Sequence, residues 1–384
     1  MKIALFTYST KPRGSVVHTL ELAEALTQLG HEVWVYALSK DGSGFDRPFS
    51  GHTCLVPAQP APLEMDALIH QRIQELVDYL TQYPPNCDMY HAQDCLTANA
   101  LFCLRQQQLI PHFIRTIHHL EDYSSIYLQQ CQDKSIQETD LCVTVSDRVQ
   151  EEVQKQYQIQ APRVINGVSS HKFLTISQEI KASLKQRLGL TGTPLYLTVG
   201  GVEPRKNSIN LLSAFALVKK EIPDAQLAIA GGATLFDYQT YRDEFFELAK
   251  DLDLYPNESL IFTGVLSQED LCCLYQLADV FVFPSLKEGW GLVILEAIAS
   301  GLPIITSNHA PFTEFLTPDQ ALLVDPQDPN AIAQAMKEIL QSTLAQALIQ
   351  QSQSILVNYT WEKSAKILLK HYQTLIYKST KIKF

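Results

Sequence analysis

The sequence predicts an α/β fold of two domains, each built on a parallel sheet, with the two sheets facing each other across a cleft. Three observations carry this. At 384 residues the chain is too long for one ordinary core and about right for two. A strand-like run, a loop, a helical run and a second strand-like run follow one another near the start, which is a βαβ unit and requires a parallel sheet. The same alternation restarts after a polar stretch at 166–194.

Residues 3–8 read as the first strand, because the apolar run is too short for a signal peptide. A polar loop at 9–15 follows. Val16, Leu20, Ala23 and Leu26 then share one helical face until Gly30 stops the helix, and 32–38 forms the second strand. Further strands are expected at 88–91, 112–117 and 141–145. The polar stretch 166–194 is read as the linker. Beyond it, strands at 195–200, 226–230, 260–263, 280–283 and 303–306 alternate with helical patterns such as 209–220. The expected domains are 1–170 and 190–357, both Rossmann-like.

Composition narrows the function classes. An apolar fraction of 46% suits two buried cores, and a net charge of −11 opposes binding to a phosphate backbone, so no nucleic-acid partner is expected. No apolar segment approaches the ~20 residues needed to cross a bilayer. Eight cysteines without a C-x-x-C pair read as buried, reduced thiols, Cys272 and Cys273 among them, in a cytoplasmic protein. Lys378, Lys381 and Lys383 make a small basic tail that reads as a solvated end rather than a lipid anchor; peripheral membrane contact is left open.

In open parallel sheets ligands sit beyond the carboxyl ends of the strands, so the loops there deserve the closest reading. Glu288 and Glu296 bracket Gly289, Trp290, Gly291 and Leu292 between an apolar strand and a helix. The glycines let the backbone approach a ligand, the helix start favours an anion, and ionised carboxylates accept hydrogen bonds from hydroxyls. Taken singly, either glutamate also reads as a helix cap or a solvated side chain; the combined spacing favours a ligand site. Gly200 and Gly201 followed by Arg205 and Lys206 make a positive, flexible loop suited to phosphate, or, taken alone, a solvated basic pair. In the first domain, Lys11, Arg13, Gly14 and Ser15 precede a helix and are placed to approach the same phosphates. His118, at a strand end with His119 beside it, is a candidate to touch a sugar; a backbone-bonded histidine is the other reading. His91 and Asp94 are acceptor-site candidates. Asp251 and Asp253 read as surface, Ser146 as a helix cap, and no metal-ligand set has suitable spacing.

These residues resemble the retaining glycosyltransferases of family 4, whose two-domain fold is called GT-B. Gly14 with His18, then 92–94, 116–118, 166–168, 200–206, 264–265, 284–285, 288–296 and 301–303 fall in the family's order, and 361–365 is similar to its terminal helix. The resemblance implies transfer of a sugar, with retention, from a nucleotide-diphosphate-sugar donor to a small-molecule, glycan or lipid acceptor, with no cofactor and no metal. It implies that Arg205 and Lys206 hold the diphosphate, that Glu288 and the amides of Gly289 to Leu292 orient the sugar, and that Glu296 binds the ribose. Val265 would meet the base through its backbone, His118 the sugar from the other domain, and a helix at 361–378 would pack back on the first domain. Ser15, Asn207, Ser169, His119 and 310–314 depart from the family pattern. Two other functions are weighed: a sugar-nucleotide epimerase of related fold and a noncatalytic sugar-nucleotide-binding protein.

Overall fold

The structure is a computed structural model that describes residues 1–173, 176–232 and 238–381, with side chains to 378. Lys383 and the side chain of Lys381 in the basic tail lie outside the described residues. The chain forms two compact units, the first from Met1–Gly167 together with the segment from Tyr359 onward, the second from Val168–Asn358.

Unit 1 carries strands β1 (Lys2–Thr7), β2 (Glu32–Ser39), β3 (His52–Pro57), β4 (Met89–Ala92), β5 (Ile114–Ile117) and β6 (Leu141–Thr144). Its helices are α1 (Gly14–Gln28), α2 (Met65–Gln82), α3 (Cys95–Gln106), α4 (Ile126–Gln137) and α5 (Asp147–Tyr157), joined by the last helix of the chain, α13 (Trp361–Lys381). Unit 2 opens with α6 (Gln178–Leu188) and continues through β7 (Leu195–Val199), α7 (Ser208–Glu221), β8 (Gln226–Ala230), α8 (Gln239–Asp251), β9 (Leu260–Gly264) and α9 (Gln268–Leu277). It ends with β10 (Val280–Phe283), α10 (Leu292–Ala299), β11 (Ile304–Ser307), β12 (Leu322–Val324), α11 (Pro329–Glu338) and α12 (Ser342–Gln353).

Every strand pair is parallel, and the strand orders are β3-β2-β1-β4-β5-β6 and β12-β11-β10-β7-β8-β9. Both sheets therefore run outward in two directions from a central pair, β1 beside β4 and β7 beside β10. That reversal opens a crevice at the carboxyl ends of the central strands, the place where doubly wound sheets take ligands.

Side-chain alternation decides what faces that crevice. In unit 1, Ala4, Phe6, Tyr36, Leu38, Tyr90 and Ala92 pack with Leu76 and Leu80 of α2 and Leu101 and Leu104 of α3. Burial of each large side chain contributes about 1.5–3 kcal/mol. The intervening residues turn to the other face, where His91 meets Tyr372 of α13. Trp361, Ala365, Leu368 and Tyr372 form the buried stripe of α13 at helical spacing. In unit 2 the equivalent layer joins Tyr196, Leu227, Ile229, Val280 and Ile305 to Phe215 of α7 and Met336 of α11.

Four elements differ from the sequence expectation. β3 and β12 are edge strands: β3 is largely wetted and opens on polar residues, and β12 is apolar but only three residues long. The segment read as linker holds α6, which buries Leu184 and belongs to unit 2 from Val168 onward rather than from 190. Helix α1 also begins earlier than its apolar face, so Gly14 and Ser15 are its first residues and not loop.

Candidate active site

At the central strand pair of unit 2, the loops leaving β7 and β10 bring Arg205, Lys206 and Glu288 together. Lys206 Nζ lies 2.5 Å and Arg205 Nη1 2.9 Å from the same oxygen, Glu288 Oε1. Arg205 Nε also meets Glu203 Oε2 at 3.1 Å. Two cations thus face two carboxylates, and the loop expected to be flexible and positive is instead pinned and balanced. Burial alone would raise the Glu288 carboxyl, but Lys206 and Arg205 outweigh it and hold it down to about 2. Burial lowers the Lys206 ammonium, with Glu288 opposing the shift.

Backbone geometry explains how these side chains are held. Pro204–Lys206 forms one 3-10 turn, and Asn207 follows it with φ 61°, a left-handed conformation that Asn tolerates better than most residues. The Asn207 amide donates to Pro284 O at 3.1 Å and Pro326 O at 2.5 Å, tying the loops after β10 and β12 to the turn. Ser285 donates to Arg205 O at 2.7 Å and sits 3.0 Å from Glu288 Oε1. Gly200, at φ 144°, lets the Lys206 stem lie across the end of β7; a Cβ there would stand 3.0 Å from Lys206 Cε. The ammonium rests 4.5 Å above the Phe283 ring.

Gly291, at φ 107°, caps α10 without a side-chain bond, and no acidic residue occupies the helix's first turn. The helix start at Leu292 thus offers amide hydrogens and the positive end of a dipole close to Glu288 in sequence. Gly289 and the ring of Trp290 are buried, the indole stacked on Phe315 at 4.7 Å, so Trp290 serves as packing under the loop. Glu296 accepts from the Tyr275 hydroxyl at 2.9 Å. Val265 is 62% exposed, just after Gly264 turns the chain at φ 65°.

Unit 1 treats its crevice differently. Asp94 caps α3: its two oxygens accept from Thr97 N at 2.9 Å and Tyr8 N at 2.8 Å, which anchors the loop after β1. Burial raises its carboxyl to about 6. His91, also expected at the acceptor, is buried, with Nδ1 2.6 Å from Tyr372 Oη and Nε2 2.8 Å from Thr116 Oγ1; it joins the sheet to α13 instead. His118 packs edge-on against His18 at 4.7 Å, and its buried Nε2 has no hydrogen-bond partner among the described residues. Desolvation, then the neighbouring histidines, keeps His118 neutral well below its ordinary value. Gly14 opens α1 with space around it, and Ser15 O accepts from Thr19.

Residues to which the sequence reading gives no role complete the arrangement: Glu203, Asn207 and Ser285 around the ion cluster, and Tyr275 on Glu296. Asn207 stands out only as a departure from the family pattern, Glu203 and Ser285 only as members of the matched segments 200–206 and 284–285, and Tyr275 not at all. Among the described residues no group of His, Cys, Asp and Glu is arranged to hold a metal, and no helix is long and apolar enough to cross a membrane. Ser146 caps α5 through Val149 N at 3.1 Å, and Cys272 and Cys273 are core residues.

Comparison with known proteins agrees with this geometry. The family model described as Glycosyl transferases group 1 matches residues 180–355, and that for Glycosyltransferase Family 4 matches 12–172. An uncharacterised glycosyltransferase of Methanocaldococcus jannaschii is 25% identical over 97% of this chain and 98% of its own length. A D-inositol 3-phosphate glycosyltransferase of Corynebacterium urealyticum is 24% identical over 98% of this chain and 96% of its own. Among solved structures, a sucrose-phosphate synthase from Thermosynechococcus elongatus has the same fold, with TM-score 0.78, 24% identity and coverage of 98% and 99% of the two chains. The Anabaena protein HepE, solved with UDP and glucose, has TM-score 0.77 and 17% identity over 97% of this chain and all of its own. Two family models that adjoin along nearly the whole chain, on two sheets of the GT-B type, make this protein a member of the family 4 glycosyltransferases.

Proposed function

We propose that the chain moves a hexosyl group from a nucleotide-diphosphate sugar held by unit 2 to an acceptor hydroxyl held by unit 1, with retention of configuration and without a metal. The observation that carries this is the Arg205–Lys206–Glu288 cluster at the reversal point of the second sheet, beside the uncapped start of α10. Glu288 keeps both cations oriented in the absence of ligand. When a diphosphate arrives, the cations and the α10 amides offer it charge-assisted hydrogen bonds where a leaving group accumulates charge, the task a divalent ion performs elsewhere. Glu288 and the amides of 289–292 would hold the sugar, Glu296 the ribose, and the backbone at Val265 the base.

In the reaction the bond from C1 to the phosphate oxygen breaks and a bond from C1 to the acceptor oxygen forms on the same face. The acceptor's proton passes to the departing phosphate oxygen, so no separate base is required. His118, kept neutral by burial, would hydrogen-bond the sugar without adding charge.

Titration of UDP, GDP and ADP into the protein and into Lys206→Ala and Glu288→Ala, with product analysis for each sugar nucleotide, tests this reading. Loss of binding and turnover is expected. Wild-type behaviour in both variants refutes it, and a changed donor sugar with no acceptor present points to epimerisation.

A further inference from the structure

The β1 end of unit 1 holds charge and hydrogen-bonding capacity that the transfer step leaves unused. Arg13 and Lys40 flank the ring of Tyr8, the guanidinium carbon and the ammonium nitrogen each 5.8 Å from its centroid. Arg13 Nη1 also donates to the Tyr8 hydroxyl at 3.1 Å. Lys11 nearby is neutralised by Asp41 at 2.6 Å, whereas neither Arg13 nor Lys40 has a carboxylate at ion-pair distance among the described residues. Burial, then the like charges of Arg13 and Arg72, lowers the Lys40 ammonium, with the Glu75 carboxylate opposing the shift. In a chain of net charge −11, two cations on one phenol ring with no carboxylate of the described residues in direct contact are a local reversal of sign. Helix α1 starts beside them with Arg13 at its cap, no capping side chain and no acid in its first turn.

The neighbouring strand ends supply a second, independent observation. Gln93 N donates to Phe6 O at 2.9 Å, which sets Gln93 next to Thr7 at the reversal point of the sheet. Both residues are fully buried, and Thr7 Oγ1 and both amide atoms of Gln93 lack hydrogen-bond partners among the described residues. A buried carboxamide with two unmet bonds is destabilising until a polar ligand supplies them, and a hydroxyl can donate to its oxygen and accept from its nitrogen.

We infer that this end of unit 1 binds a phosphate monoester, with Arg13 and Lys40 on the phosphate and Gln93 and Thr7 on adjoining hydroxyls; the ligand is a phosphorylated sugar or polyol. That it is the acceptor rests on the glycosyl-transfer reading; the anion site itself does not.

The test is calorimetric binding of inorganic phosphate and of glucose 6-phosphate, fructose 6-phosphate and inositol 1-phosphate, each against its unphosphorylated partner. The proteins are the intact chain, Arg13→Gln/Lys40→Gln and Lys206→Ala, with phosphatidic acid vesicles as the lipid form of the same group. At least one soluble phosphate should bind better than its partner, about ten- to a hundredfold weaker in the double variant and unchanged in Lys206→Ala. A Gln93→Leu variant should weaken the sugar phosphate but leave inorganic phosphate unchanged. Equal binding of sugars with and without phosphate, loss confined to Lys206→Ala, or binding only to vesicles overturns the proposal. Failure of nucleoside diphosphates to respond to Lys206→Ala would instead count against the donor reading and leave this result standing.

Discussion

The two units repeat one strand order but equip its reversal point in opposite ways. In unit 2 the crevice is ionic: Arg205, Lys206, Glu203 and Glu288 hold one another, and Glu288 stays charged to low pH because two cations outweigh its burial. In unit 1 the histidine layer beneath the crevice is neutral, and charge enters only at the end of β1, where Arg13 and Lys40 flank Tyr8. Burial keeps His18, His91 and His118 uncharged, and His91 is spent on Tyr372 and Thr116. On the proposed reading, the same backbone position serves a charged leaving group in unit 2 and the acceptor in unit 1. What differs is the side chains at the strand ends, not the fold.

The comparison breaks most readily at Lys206. If its charge stabilises a departing diphosphate, Lys206→Ala should lower kcat/KM by about a thousandfold or more, while Tm changes little because Glu288 keeps Arg205 as a partner. A drop below tenfold would place the chemistry elsewhere.

Acid should separate the units next. The unfolded chain protonates a histidine near 6.5, whereas folded His18 and His91 resist until about 4 and about 3. Lowered folded values mean that stability is present above 6.5 and is lost as pH falls through that interval. By pH 5 the two contribute a loss of about 4 kcal/mol. Asp94, raised to about 6, protonates more readily when folded and offsets about 1 kcal/mol of this. Unit 2's Glu288, held down to about 2, loses its contribution only below the ordinary 4.5. Hydrogen exchange followed by mass spectrometry should show β1, β4 and β5 opening before β7, β8 and β10 as pH falls from 7 to 5. The reverse order would contradict the assignment of neutral and charged layers.

Asn207 sharpens the picture inside unit 2. Asn207→Ala places a Cβ-bearing residue without a local hydrogen-bonding group at φ 61°, strips Pro284 O of the Asn207 amide and leaves Pro326 O with Asn210 alone, for about 2–3 kcal/mol of stability. Asn207→Gly keeps the conformation and loses only the bonds, about 1–2 kcal/mol. Equal Tm in Asn207→Gly and wild type would remove the loop-tying role. The smallest effect is expected at Tyr275→Phe, which frees Glu296 of one donor: a KM change for the sugar nucleotide of about threefold, with kcat unaltered.

Much of this was legible in the sequence for physical reasons. Buried parallel strands are apolar runs, and β8 and β10 fall where such runs stand; edge strands such as β3 are half wetted and leave no such trace. Arg205, Lys206 and Glu288 could be named because short spacing next to a strand end constrains where side chains go. Their supports could not, since Asn207 reaches Pro326 across 119 positions and Ser285 reaches Arg205 across 80, which no local pattern encodes. Asp94 is read from the sequence as an acceptor-site candidate, whereas the structure uses it as the N-cap of α3, the role an aspartate directly before a helical run favours. The neutrality of the histidines in unit 1 depends on the packing of α13, which lies far away in the chain.

The central claim is that the crevice of unit 2, and not that of unit 1, takes the donor's diphosphate. A crystal structure of the chain soaked with UDP, GDP or ADP tests it directly. The account places phosphate oxygens about 3 Å from Arg205, from Lys206 Nζ and from the first amides of α10. A diphosphate seated at the end of β1, or one that leaves the Lys206–Glu288 pair untouched, would contradict it.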